Sequence, residues 1–200
     1  MQTPVTPHCL EAGSGPPLLL LHGLFDSSET WVRLIPSLSA QFKIYAIDLP
    51  GFGKTPLPGD WGESLSGMVD AVIGFLDQQE IKQISLIGSS MGGALSLAVA
   101  QHCPSRILKI ALLNPYGLPA VPLAVQNAKR PILSRVLPYL LFRCVMRQCV
   151  KAVFSRSLFD RSILTKPMLE QVAKPFFTLK QRKNLSRFLS AISPEKIKKI

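Results

Sequence analysis

The chain has 200 residues and a formal net charge of +11 at pH 7, which is enough for one domain, or a domain with a subdomain, around a sizeable core. Its 47% hydrophobic content excludes a disordered chain, and no stretch is long and apolar enough to cross a bilayer. The first residues lack the basic stretch and apolar run of a signal peptide. We therefore expect a cytoplasmic protein. Its four cysteines show no metal-ligand spacing, so we expect free thiols and no metal site.

The charge is distributed unevenly along the chain. Residues 1–120 carry six basic and nine acidic side chains, whereas residues 121–200 carry seventeen and three. A change of this size predicts two structural units with different surroundings.

The first half of the N-terminal unit reads as alternating strands and helices. A strand stub is predicted near residues 5–10, followed by a continuous apolar run at 16–21 that is typical of a buried parallel strand. Asp26 and Glu29 have the spacing of a capping box, which predicts a helix through about Ser37 with Asp26 as its N-cap. The next strand is predicted at 42–48.

The second half repeats the alternation. Residues 64–79 have apolar side chains at helical spacing, and 107–113 read as another buried strand. Between them a short strand at 84–87 leads through a glycine-rich turn into an Ala/Leu-rich helix at 93–101. This order predicts an α/β fold with a mainly parallel sheet.

The glycine-rich turn, Gly88-Ser-Ser-Met-Gly92, has the pattern G-x-S-x-G. Between a strand and a helix, this pattern is typical of a strained turn that projects the serine Oγ out of the sheet, with glycines where side chains would collide. Ser90 is then a candidate nucleophile. The alternative is an ordinary turn in which Ser90 caps the helix that follows.

A second glycine-rich stretch does not predict a nucleotide site. Gly53-Lys-Thr55 resembles the end of a phosphate-binding loop, but that motif requires a glycine at position 48, which is Asp here. We therefore expect no cofactor.

Three motifs in order carry a resemblance to the α/β-hydrolase superfamily: His22-Gly23, Asp48-x-x-Gly51-x-Gly53-x-Thr55 and Gly88-x-Ser90-x-Gly92, each after a predicted strand. Within the superfamily the chain resembles cap-bearing esterases and lipases, and the carbon–carbon bond hydrolases of aromatic degradation. The resemblance implies a mainly parallel but incomplete hydrolase sheet in residues 1–116. It also implies a C-terminal helical cap in 117–200.

The resemblance also implies roles for individual residues. Ser90 would attack a carbonyl carbon, and the backbone N–H groups of Leu24 and Met91 would form the oxyanion hole. His22 could be read as the catalytic base, but in this fold the triad histidine follows the serine, so we interpret His22 as bracing the oxyanion loop. The other supporting positions are Gly23, Gly88 and Gly92, and Asp48 is interpreted as a loop anchor.

The chain departs from the superfamily pattern after the predicted cap. In the superfamily, the triad acid and histidine would follow the cap. Here the sequence ends at Ile200, and no histidine follows His102. We therefore expect a chain truncated before the strands that carry them. The leading hypothesis is a serine hydrolase of small-molecule carboxylic esters that acts through an acyl-enzyme. The alternatives are a carbon–carbon bond hydrolase, and a catalytically incomplete fragment or non-enzymatic binding module.

Two surfaces suggest partners. Without further strands, the strand at 107–113 would be an exposed apolar edge, which predicts a dimer or a second chain pairing there. Residues 132–154 read as a basic amphipathic helix, either an ordinary cap helix or one that lies on an anionic membrane. Because the basic residues are spread among apolar ones without a recognition motif, we expect no nucleic acid.

Overall fold

The computed structural model describes residues 5–24, 26–57 and 65–116. Five strands form one sheet in the order β1-β3-β2-β4-β5. β1 pairs antiparallel with β3, and all other pairs are parallel. The strands are β1 (Cys9–Ala12), β2 (Pro17–Leu21), β3 (Lys43–Ile47), β4 (Ile84–Ser89) and β5 (Ile107–Leu113). The predicted α/β class with a mainly parallel sheet is confirmed.

The helices lie between these strands along the chain. α1 (Ile35–Leu38) is a single turn, whereas α2 (Leu65–Gln78) and α3 (Met91–His102) are long. Two 3₁₀ turns, Ser28–Trp31 and Pro104–Arg106, precede α1 and β5.

The apolar run of β2 is buried because both faces of the sheet are covered. Leu19 and Leu21 pack into a core that includes side chains from α2 and α3, such as Phe75 and Val99. The alternate residues, Leu18 and Leu20, belong to a second core on the other face, which contains Trp31, Ile44 and Ala46. A strand that buries both faces has no polar positions, which explains the continuous leucines.

The predicted helix from Asp26 to about Ser37 is wrong. The chain forms a 3₁₀ turn at Ser28–Trp31 and then the short α1. Ser27, not Asp26, is the N-cap, and its side chain accepts the Glu29 N–H. Pro36 sits in the first turn of α1, where its missing N–H and its restriction on the preceding residue favour a new start over a continuous helix.

Two strand predictions need correction. The N-terminal stub at 5–10 is displaced, because β1 covers Cys9–Ala12, the part that pairs with β3. β5 has the predicted bounds but is not fully buried, since Leu108 and Leu113 are 52% and 46% exposed. Among the described strands β5 pairs with β4 alone. The predicted cap, with the basic stretch 132–154, lies outside the described residues.

Candidate active site

The candidate site lies where three neighbouring strands end together. The parallel register places Leu21 of β2 beside Ile47 of β3 and Gly88 of β4. The residues that follow these positions, His22, Asp48 and the turn at Ser90, therefore emerge at the same edge of the sheet. In open parallel sheets this carboxyl edge is where binding and catalytic groups are found.

Ser90 has a backbone conformation that non-glycine residues rarely adopt. Its φ is 50° and its ψ is −112°, outside the regions favoured by residues with a Cβ. Although Ser90 occupies the N-cap position of α3, its side chain makes no capping hydrogen bond. The main benefit of a serine cap is therefore absent, and its hydroxyl is not committed to the helix.

Backbone hydrogen bonds from the end of β5 hold this strained turn. The Ser90 N–H donates to the Leu113 carbonyl at 2.9 Å, and the Tyr116 N–H donates to the Ser90 carbonyl at 2.9 Å. The chain bends between these contacts at Asn114, which has a φ of 47°. Asparagine tolerates that conformation better than most residues. This support was not predicted, although an Asn-Pro pair just after a strand was its visible signal.

The turn is compact because its glycines touch neighbouring backbone. A Cβ on Gly92 would lie 2.2 Å from the Leu21 carbonyl oxygen, and one on Gly88 would lie 2.3 Å from the Gly92 carbonyl oxygen. Both distances are far below van der Waals contact. The missing side chains therefore allow α3 to begin directly against the end of β2.

The loop after β2 approaches Ser90 from the other side. A Cβ built on Gly23 would lie 3.4 Å from Ser90 Cβ, so the backbone at Gly23 and Leu24 borders the serine. Met91 is the first residue of α3, and its N–H has no acceptor within the helix. In the described part of the chain, the Leu24 N–H donates to no other backbone group.

His22 joins two loops from a fully buried position. Its Nε2 accepts the Leu49 N–H at 2.9 Å, and its Nδ1 lies 2.7 Å from the Gly23 carbonyl oxygen. Because Nε2 is an acceptor, the ring proton must be on Nδ1, which donates to Gly23. The edge of the ring also packs against Phe52, with centroids 5.6 Å apart. Both ring nitrogens are therefore engaged by backbone groups.

Burial sets the charge state of this histidine. It lowers the pKa of His22, because the charged imidazolium would lose its hydration. Burial also raises the pKa of Asp26, although the Ser27 N–H that its Oδ1 accepts at 2.8 Å favours the ionised form. His22 is therefore neutral near pH 7, in the state that its hydrogen bonds require.

Asp48 anchors two segments with one carboxylate. Oδ1 accepts the Ser28 N–H at 2.6 Å, and Oδ2 accepts the Lys54 N–H at 2.7 Å. The link to Lys54 is the loop anchoring that the motif suggested. The link to Ser28 was missed, because only the folded chain brings the start of the first 3₁₀ turn to the end of β3.

The histidines of the chain do not form a triad with Ser90. Both nitrogens of His22 are used elsewhere, and His8 Nε2 has no hydrogen-bond partner. His102 is the last residue of α3, about 18 Å from Ser90 at 1.5 Å per residue. The described residues therefore supply no hydrogen-bonded base for Ser90.

Two further searches covered the described residues alone. They contain no group of three or more His, Cys, Asp or Glu side chains that could hold a metal ion. Their helices include none with the length and apolarity needed to span a membrane. Cys9 and Cys103 are free thiols. Burial raises the pKa of Cys9 to about 12, which keeps it protonated and unreactive.

Comparison with known families decides the assignment. The model of the alpha/beta hydrolase fold matches residues 16–139, which include the loop after β2, Asp48 and the Ser90 turn. The chain belongs to the α/β hydrolase fold family.

Relatives in the family include several hydrolases. The chain is 27% identical to the uncharacterized hydrolase YugF of Bacillus subtilis over 92% of its own length and 68% of the relative's. It is 32% identical to 2-hydroxymuconate semialdehyde hydrolase of a Pseudomonas species, over 54% of its own length. It is 35% identical to the pimeloyl-[acyl-carrier protein] methyl ester esterase of Aeromonas hydrophila, over 48% of its own length. These matches span 39% and 36% of the latter two relatives.

Solved structures agree on the fold. Cfl2 of Burkholderia cenocepacia aligns with a TM-score of 0.79 at 24% identity, over 98% of this chain and 70% of that one. The 2-hydroxy-6-oxo-6-phenylhexa-2,4-dienoate hydrolase of a Rhodococcus species aligns with a TM-score of 0.73 at 24% identity, over 96% and 70%. At these identities the likeness shows a shared fold.

Proposed function

We propose that the chain is the nucleophile-bearing part of a serine hydrolase that cleaves carboxylic esters through an acyl-enzyme on Ser90. The observation that carries the proposal is the conformation of Ser90, with a φ of 50° and no capping hydrogen bond. Strain of this kind costs about 1–3 kcal/mol and persists where the surrounding structure imposes it, most often at functional sites. A helix cap would not require it.

The surrounding backbone suits the chemistry of acyl transfer. Attack by Ser90 Oγ on an ester carbonyl would place negative charge on the carbonyl oxygen. The N–H of Met91, and that of Leu24 beside it, would donate to this oxygen, with the N-terminus of α3 contributing its dipole. His22 would hold the Leu24 side of the site in place through its hydrogen bond to Gly23.

The described residues supply no hydrogen-bonded proton acceptor for Ser90. The sequence contains three histidines, and none is hydrogen-bonded to Ser90 in the described structure. A histidine base would therefore be supplied by residues outside these 200. Without a base, a serine hydroxyl is almost fully protonated at neutral pH and reacts slowly.

The first test uses added imidazole as the missing base. The purified chain and a Ser90→Ala variant would be assayed with a short-chain p-nitrophenyl ester, with and without imidazole. Imidazole also hydrolyses the ester by itself, so the rate without protein is subtracted at each imidazole concentration. We then expect turnover that exceeds that of Ser90→Ala, and a protein-dependent rate that rises with imidazole in the unsubstituted chain alone. Equal rates for both proteins under both conditions would favour a catalytically incomplete fragment or a non-enzymatic binding module on the same fold.

A second test removes the need for a base. A thiol at position 90 ionises far more readily than a hydroxyl, so Ser90→Cys should be acylated by the same ester, with the modified peptide identified by mass spectrometry. Ser89→Cys is the matched control, because it precedes the strained turn. Acylation of position 89 as fast as position 90 would contradict a special role for the turn.

A carbon–carbon bond hydrolase is the second candidate. It is favoured by the 32% identity to 2-hydroxymuconate semialdehyde hydrolase. The two candidates share Ser90 and differ in substrate. Ser90-dependent cleavage of a 2-hydroxy-6-oxo-dienoate, with no cleavage of the p-nitrophenyl ester, would favour the carbon–carbon bond hydrolase.

A further inference from the structure

Three buried polar atoms in the described residues have no hydrogen-bond partner: His8 Nε2, Ser28 Oγ and Trp31 Nε1. Ser28 and Trp31 are 1% and 4% exposed. Buried polar atoms in native proteins are nearly always satisfied by protein or by ordered water, because an unpaired one has lost its hydration without compensation. Three such atoms need an explanation.

Strand pairing places His8 beside Asp48. β1 and β3 pair with Leu10 opposite Ala46, and the Asp48 N–H donates to the His8 carbonyl at 2.8 Å, so the pairing continues beyond the strands. Residues directly opposite in an antiparallel pair, and every second residue along a strand, share a face. His8 and Asp48 therefore lie on the face of Leu10 and Ala46.

The first 3₁₀ turn brings the other two atoms to the same face. Ser28 and Trp31 are three residues apart in that turn, and side chains at this spacing eclipse in a 3₁₀ helix. The Ser28 N–H is bonded to the Asp48 carboxylate. Trp31 packs in the same core as Ala46, with Leu10 against it. The backbones of His8 and Ser28 thus both bond to Asp48, and Trp31 lies at the end of the same 3₁₀ turn as Ser28.

We infer that these side chains bind a buried water molecule between the N-terminal segment, the first 3₁₀ turn and the end of β3. The water would accept the Trp31 N–H and hydrogen-bond to Ser28 Oγ and His8 Nε2. Three partners is the usual number for an internal water. This set contains the donors and acceptors that water needs in addition to its own two protons.

Other ligands fit the set less well. Trp31 Nε1–H is a donor and cannot coordinate a cation. An anion would be placed next to the Asp48 carboxylate, whose repulsion in a buried site would be strong. Both Asp48 oxygens already accept backbone N–H groups, from Ser28 and Lys54. The ligand that fits is therefore a neutral molecule that both donates and accepts hydrogen bonds.

The first experiment is a crystal structure of the chain at a resolution that shows ordered water. We expect a density peak within hydrogen-bond distance of Trp31 Nε1 and of at least one of Ser28 Oγ and His8 Nε2. Continuous packing with no peak, or rotation of these side chains onto protein partners, would overturn the inference.

The second experiment tests whether removal of the Ser28 hydroxyl raises or lowers the stability of the chain to urea. If Ser28 Oγ holds a bound water, Ser28→Ala lowers the urea midpoint of unfolding. If Ser28 Oγ is an unpaired buried group, its removal raises the midpoint or leaves it unchanged, which would contradict the inference. Ser14→Ala is the control, since Ser14 is exposed between β1 and β2 and its hydroxyl should contribute little. Neither experiment depends on catalysis, so the result is independent of the proposed function.

Discussion

The backbone N–H of Leu49 donates a 2.9 Å hydrogen bond to Nε2 of the fully buried His22. This bond connects the loop after β3 to the loop after β2, since the same ring also bonds to the Gly23 carbonyl. A histidine early in the chain, ahead of a serine motif, invites interpretation as a catalytic base. Its two backbone partners instead give it the geometry of a brace between loops.

His22→Ala should destabilise the chain by about 3 kcal/mol, because it leaves the buried Leu49 N–H unpaired and opens a cavity beside Phe52. Urea unfolding followed by circular dichroism measures the change. His22→Gln is the matched variant, since its amide oxygen can accept the Leu49 N–H, and it should recover part of the loss. Equal stability of the alanine variant and the parent would show that the contacts of the ring do not stabilise the fold.

The stability of the chain should fall as the pH is lowered below about 6.5, the ordinary pKa of histidine. Burial lowers the pKa of His22 in the folded state. The unfolded chain therefore takes up a proton at a higher pH than the folded chain, which favours unfolding as the pH falls toward the folded value. The raised pKa of Asp26 acts in the opposite direction, because its folded form retains a proton as the pH rises.

Urea midpoints measured between pH 7 and pH 5 test this dependence. The His22→Gln variant should lose the part of the slope that His22 contributes, and Asp26→Asn should make the remaining slope steeper. A parent and a His22→Gln variant with the same pH profile would contradict the assigned neutral state.

Gly92→Ala should prevent native folding, because its Cβ would lie 2.2 Å from the Leu21 carbonyl oxygen. Neither backbone can move without separating α3 from the end of β2. Gly74→Ala is the matched control in α2, where a Cβ meets nothing within 4 Å, and it should stabilise the chain by about 1 kcal/mol. Thermal unfolding of both variants measures these effects, and a folded Gly92→Ala with unchanged stability would refute the close packing.

The chain should self-associate through β5, whose Leu108 is 52% exposed at the edge of the described sheet. Leu108→Lys should reduce the associated fraction, because a charged residue on an edge strand opposes pairing with another strand. Leu97→Lys on α3, where the leucine is 38% exposed, controls for a general gain in solubility. Size-exclusion chromatography with light scattering gives the masses, and a monomeric parent at all concentrations would contradict the prediction.

Local patterns in the sequence determined most of the described fold. Apolar runs and apolar periodicity act over a few residues. They were enough to predict β2 from its four leucines, α2 from its apolar spacing, and the bounds of β5. The G-x-S-x-G turn could also be predicted, because its glycines are needed where neighbouring backbone leaves no room for a side chain. The helix after Asp26 was misjudged, since Pro36 and the contact of Ser28 with Asp48 outweighed the local capping pattern.

Contacts between distant segments were decided by the tertiary structure. Leu113 and Tyr116 hold the backbone of Ser90, and Asp48 joins the first 3₁₀ turn to the loop at Lys54. No spacing along the chain encodes these bonds, because they depend on strand order and register. The sequence by itself predicted the strand-to-helix turn at Ser90 and the glycines that make room for it. The folded sheet determined which backbone groups hold that serine, since only the parallel register brings three strand ends to one edge.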